Sequence, residues 1–183
     1  MKNLTIAFNV VVMAAAMGFG GDTMLVKGTE GPPFELKSAE GSVIKLSDYR
    51  GKNYVVLIFY PGDETPVCTK QLCEIRDDYT SFEKRGAVVF GINPASEASH
   101  NKFAGKHNFQ FQLLIDEKSA VAAAYGAKGT IMNKRTVYVI DKAGKIVYAK
   151  RGKPPVSEIL AAIPSPEGDT TAAPVDLKLE LKK

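Results

Sequence analysis

Residues 54–73 read Tyr54-Val-Val-Leu-Ile-Phe-Tyr60-Pro61-Gly-Asp-Glu-Thr65-Pro-Val-Cys68-Thr-Lys-Gln-Leu-Cys73. The first seven are apolar, rich in β-branched and aromatic side chains, and closed by a proline, which is the pattern of a buried strand. A helical pattern follows. Leu72, Ile75, Tyr79 and Phe82 recur at three and four residues, and Gly86 ends the run. The spacing predicts one helix over 68–85, with a single apolar stripe. Cys68 therefore falls where a strand hands over to a helix. Unpaired backbone N–H groups and the helix dipole favour an anion there, and the anionic form of a thiol is its nucleophilic form.

Working outward, Phe34-Glu-Leu36 and Val43-Ile-Lys-Leu46 alternate around Glu40-Gly41 as a hairpin. Ala87 to Ile92 is a second buried strand. Ser96 is a good N-cap for a helix over 97–107. Leu113–Ile115 forms a short strand ending at Asp116, and a short helix over 118–125 stops at Gly126. Strands at 137–140 and 146–149 bracket Asp141-Lys-Ala-Gly144, a hairpin signal. A last helix covers 156–163. Strands that alternate with helices and finish in a hairpin predict an α/β fold. The class is a thioredoxin-like sandwich, a central mixed β-sheet flanked by helices, with an N-terminal β-hairpin.

The chain has 183 residues, 45% of them apolar and 24% charged, with a formal net charge of +4. That describes one globular domain, expected over 24–163, whose core stands without staples. Lys and Arg are scattered rather than clustered, which argues against a nucleic-acid surface. After Lys2 no charged side chain occurs until Asp22, and an apolar run is followed by small residues. Residues 1–21 thus read as a signal peptide or N-terminal extension, with no stable membrane span expected. They imply export to the periplasm or cell envelope. The alternative is a cytoplasmic protein whose first residue is Met24. From Pro164 the chain turns rich in Pro, Thr and Ala, so 164–183 is expected to be a disordered tail.

Cys68 and Cys73 are the only cysteines. On a continuous helix, side chains five residues apart are rotated by about 140° and displaced by about 7.5 Å along the axis. That exceeds the reach of a disulfide, so the pair bonds only if the helix unwinds. A structural disulfide conflicts with this geometry. An inert buried pair and a catalytic pair both remain open on spacing alone. His100 and His107 are the only histidines, and their spacing with the cysteines does not fit a zinc finger. Gly126-Ala-Lys-Gly-Thr130 lacks the full spacing of a phosphate-binding loop.

The motif Pro61, Thr65, Cys68 resembles the active-site signature of the peroxiredoxins, with its spacing intact. A second cysteine five residues on is similar to the bacterioferritin-comigratory, or Q-type, subgroup. Phe59 to Cys73, Arg76-Asp77, Ser99-His100 with Phe103, and Leu113–Asp116 extend the likeness, which covers about residues 27–163. The resemblance implies a thiol-dependent peroxidase with no cofactor and no metal. Cys68 would be the peroxidatic thiol and Cys73 the resolving one, with Thr65, Pro61 and Arg135 completing the pocket. Peroxides would be the substrates, a thioredoxin-like dithiol protein the reductant, and the protein a monomer or weak dimer. A general disulfide oxidoreductase and a redox-relay module are the competing readings; the first normally carries Cys-x-x-Cys, which is absent here. Val67 stands where the family commonly has Gly, and 126–134 is shorter than in many relatives.

Overall fold

The computed structural model describes residues 23–165. The expected signal peptide at 1–21 and the tail beyond Ser165 lie outside the described residues. The strands are β1 (Glu35–Ser38), β2 (Val43–Lys45), β3 (Tyr54–Phe59), β4 (Ala87–Asn93), β5 (Gln112–Ile115), β6 (Thr136–Ile140) and β7 (Ile146–Arg151). The helices are α1 (Pro66–Asp77), α2 (Tyr79–Lys84), α3 (Glu97–His107), α4 (Ala120–Ala124) and α5 (Val156–Ala161). The seven strands form one sheet in the order β2-β1-β5-β4-β3-β6-β7. β3, β4 and β5 are mutually parallel, and the remaining pairs are antiparallel. The mixed sheet of a thioredoxin-like fold is thus present, extended at one edge by the N-terminal hairpin.

β3 shows why the sheet is covered on both faces. Val56, Ile58 and Tyr60 enter one core with Leu72, Ile75, Phe82, Phe103 and Ile159. Val55, Leu57 and Phe59 enter the other with Phe34, Leu114, Tyr125 and Tyr138. Successive side chains of a strand point to opposite faces, so a continuous apolar run fills two cores at once. α1, α2, α3 and α5 pack against the first core. α4 packs against the second, as does Leu46 in the short 3-10 turn after β2.

The helix expected over 68–85 is two helices. It starts at Pro66, whose fixed φ and missing N–H suit a first helical position. It breaks at Asp78, where φ is −99° and ψ 9°. Asp78 is at once the residue that closes α1 and the N-cap of α2, where a carboxylate is favoured. The apolar stripe crosses the break, because Ile75 and Phe82 still reach the same core. α4 likewise starts two residues later than expected. Ser119 adopts a left-handed φ of 51°, and Asp116 accepts from the N–H groups of Val121 and Ala122 at 3.2 and 2.7 Å.

Candidate active site

The loop from Pro61 to Thr65 joins β3 to α1 and fixes where α1 begins. Its anchor is Asp63. One carboxylate oxygen accepts from Tyr60 Oη at 2.8 Å and Asn93 Nδ2 at 2.9 Å. The other accepts from Ser99 Oγ at 2.7 Å and lies 2.9 Å from His100 Nδ1. Burial pushes this carboxyl up. The hydrogen bonds from His100 and Ser99, the nearby His100 charge and the Tyr60 hydroxyl more than reverse that, holding it at about 2. Burial and the Asp63 charge in turn push the Tyr60 phenol well above its ordinary range. One side chain thereby ties the loop to the ends of β3 and β4 and to the first turn of α3. Glu64 follows with a left-handed φ of 58° and pairs with Lys106 at 2.6 Å.

Thr65 holds the N-cap position in extended geometry, but its hydroxyl donates to the Gly62 carbonyl at 3.3 Å rather than capping the helix. Its own carbonyl accepts the first helical bond, from Thr69 N at 2.8 Å. Cys68 is then the third residue of α1, where the backbone N–H groups have no carbonyl partner within the helix. Its side chain is fully buried on the stripe shared with Gln71, Leu72 and Ile75. Val67, one residue earlier, faces solvent at 55% exposure, so its branched side chain does not fill the pocket.

Arg135 reaches the same point from the strand next to β3. β6 runs antiparallel to β3, with Thr136 opposite Phe59, so the residue before Thr136 emerges beside the Tyr60–Pro61 junction. Its carbonyl is held by Gly152 N at 2.9 Å. Nη2 donates to Cys68 Sγ at 2.9 Å, and Nη1 donates to Gln71 Oε1. A planar guanidinium donates from two nitrogens at once, and a donor with a full positive charge stabilises a thiolate more than a neutral one does. The Gln71 amide nitrogen is buried and unpartnered among the described residues. The arrangement presents a buried sulfur in the first turn of a helix with a cationic donor on it, suited to attack on an electrophile whose departing atom gains negative charge.

The five residues expected at the site divide into two places. Pro61, Thr65, Cys68 and Arg135 gather around the start of α1. Cys73 does not join them. It is a free thiol on the same helix, partly buried, with its Sγ 3.7 Å from His107 Nδ1. Asp63 and Gln71 were not singled out from the sequence. Asp63 stands inside the opening stretch, yet its partners come from positions 60, 93, 99 and 100, which no local pattern connects. Among the described residues no group of three or more His, Cys, Asp or Glu side chains could hold a metal ion, and no helix is long and apolar enough to cross a membrane.

Residues 28–149 match the family model described as AhpC/TSA. The chain belongs to the AhpC/TSA family of peroxiredoxins. This peroxiredoxin is 41% identical to Peroxiredoxin Bcp of Bacillus subtilis (strain 168) over 128 residues, 66% of this chain and 81% of that protein. It is 45% identical to the chloroplastic Peroxiredoxin Q of Sedum lineare over 136 residues, 71% of this chain and 72% of that one. Among solved structures it resembles Peroxidoxin BcpB of Mycobacterium tuberculosis with a TM-score of 0.70 and 32% identity, covering 74% of this chain and 94% of that one. The similarity to Bcp and Q-type proteins agrees with the subgroup that the cysteine spacing resembles. As a peroxiredoxin, the protein is a thiol-dependent peroxidase.

Proposed function

We propose that Cys68 is the peroxidatic thiol and Cys73 the resolving thiol of a cycle driven by a thioredoxin-like dithiol protein. The Arg135 contact with the Cys68 sulfur, at 2.9 Å, is the observation that carries the assignment. The Cys68 thiolate attacks the terminal oxygen of hydrogen peroxide or an organic hydroperoxide. An S–O bond forms, the O–O bond breaks, and water or an alcohol departs after taking up a proton. Arg135 donates to the oxygens as charge develops on them. Pro61 closes the pocket without offering an N–H, and the Thr65 hydroxyl, which rests on the Gly62 carbonyl, would turn toward the sulfur or the bound peroxide.

The sulfenic acid at Cys68 condenses with Cys73, forming the disulfide and releasing water. α1 holds both residues, so its first turns unwind for this step. Thiol–disulfide exchange with the dithiol reductant then restores both thiols. The protein works as a monomer or weak dimer. The uncharged apolar run within residues 1–21 supports export to the periplasm or cell envelope, with an envelope dithiol protein as reductant. N-terminal sequencing of the mature protein tests this: a mature start near Asp22 is expected, and a retained Met1 or a start at Met24 overturns it.

Rapid mixing of reduced protein with peroxide tests the two thiols. Cys68→Ser is expected to abolish peroxide consumption. Cys73→Ser is expected to consume one equivalent and stop at a sulfenic acid. A Cys68→Ser protein that reacts as fast as the parent refutes the assignment.

A further inference from the structure

Cys73 points away from the pocket and onto a histidine. His107 is the last residue of α3, and its Nδ1 lies 3.7 Å from Cys73 Sγ. The ring is held in place by aromatic neighbours. Phe109 stacks on it at 5.7 Å and 19°, and Phe103 meets it edge-on at 5.2 Å. Its backbone carbonyl accepts from Arg76 Nη1 at 2.8 Å. Arg76 is three residues beyond Cys73 on α1, so one helix carries both the thiol and the clamp that sets its position against the ring. His107 Nε2 is buried and has no hydrogen-bond partner among the described residues. The sulfur is therefore the ring's one polar side-chain contact there, made through Nδ1.

We propose that His107 is the general base for the resolving thiol, an inference that rests on Cys73 being that thiol. Nδ1 accepts the Cys73 Sγ–H proton while α1 is still wound. Unwinding then delivers a thiolate. It attacks the Cys68 sulfenic sulfur, the S–S bond forms as the S–O bond breaks, and the hydroxide leaves as water. Its proton is balanced through solvent by the one the imidazolium gives up. Thiol plus sulfenic acid become disulfide plus water, with no further oxidant or reductant.

The charges around the ring come from three elements. Glu64, in the loop before α1, interacts with His107 and is paired with Lys106. Lys102 and Lys106 belong to α3, and Arg76 with its partner Asp77 to α1. Charges of both signs therefore lie about this corner, with Glu64 engaged by Lys106. The contact between Nδ1 and the Cys73 sulfur, rather than the local field, is what fits the ring for this role.

The size of the effect is bounded. An ordinary thiol is a few per cent ionised at pH 7, so a base that ionises it fully speeds attack by up to about 30-fold. The experiment uses reduced full-length protein, one equivalent of hydrogen peroxide, rapid acid quench, alkylation and mass spectrometry. Sulfenic acid and disulfide are followed separately from pH 5.5 to 9.5. His107→Phe keeps an aromatic ring between Phe103 and Phe109. His107→Gln keeps a polar side chain that cannot take up the proton, and it decides the matter if the Phe variant does not fold.

Both variants are expected to form the Cys68 sulfenic acid at the parental rate. Disulfide formation at pH 7 should slow by roughly 10- to 30-fold. The deficit should disappear near pH 9.5, where solvent ionises the thiol unaided. Parental disulfide rates at pH 7 overturn the proposal. So does a deficit that is the same at every pH, because that marks His107 as a packing residue. Failure of the parent itself to form the sulfenic acid would instead strike at the assignment of Cys68.

Discussion

Asp63→Asn is the sharpest test of how the loop before Cys68 is held. Four donors converge on two carboxylate oxygens, and an amide of the same shape keeps only one of them. The folded carboxyl lies at about 2 against a reference of 3.8. That displacement of nearly two units corresponds to about 2.5 kcal/mol of stability. The sign follows from a lowered folded-state value. The contribution is complete above the unfolded value, near pH 4 and higher, and is lost as pH falls through about 2. It is about half gone by pH 3. At pH 7 the variant should melt roughly 5–10 °C below the parent. Thermal melts followed by circular dichroism at pH 7, 4 and 3 provide the comparison. The gap between parent and variant should be nearly unchanged at pH 4 and roughly halved at pH 3. A variant as stable as the parent at pH 7, or a gap just as wide at pH 3, refutes the reasoning.

Arg135→Ala removes the guanidinium from the sulfur, and oxidation of Cys68 should slow by about 10²–10³-fold with the far-ultraviolet spectrum retained. Stopped-flow peroxide consumption reads this, and an unchanged rate rules out the catalytic role. Gly91→Ala places a methyl 2.6 Å from Leu113 Cδ2 and 3.1 Å from Tyr60 Cε1. The overpacking should cost about 1–3 kcal/mol in urea unfolding and disturb the Tyr60 end of the Asp63 network, whereas a neutral substitution would show that both side chains yield freely.

Much of this was legible because it is local. A continuous apolar run announced β3, Ser96 does cap α3 by accepting from Ser99 N at 3.3 Å, and Asp141 to Gly144 does form the turn between β6 and β7. The thiols declared their geometry through spacing alone. The break at Asp78 was hidden because the apolar stripe runs through it undisturbed, and only Asp78, a residue type suited to an N-cap, hints at a second helix starting there. Pairing of β1 with β5 was invisible, since a hairpin's sequence says nothing about which edge it joins. Contacts between distant positions were hidden too. Arg135 meets Cys68 from 67 residues away, and His107 meets Cys73 from 34. Family resemblance supplied the first of these and nothing supplied the second.

The burial of α1 also fixes a tolerance to dose. Leu72 and Ile75 are fully inaccessible to solvent, and removing such side chains from a core costs about 1.5–3 kcal/mol each. In the proposed cycle some of that anchorage is surrendered whenever the two sulfurs meet. Until they do, the sulfenic acid remains open to a second peroxide molecule, which would carry it to a sulfinic acid beyond recovery by thiols. The firmness of one helix thus sets a peroxide concentration. At that concentration the sulfenic acid takes a second peroxide as often as it forms the disulfide, and well below it turnover prevails.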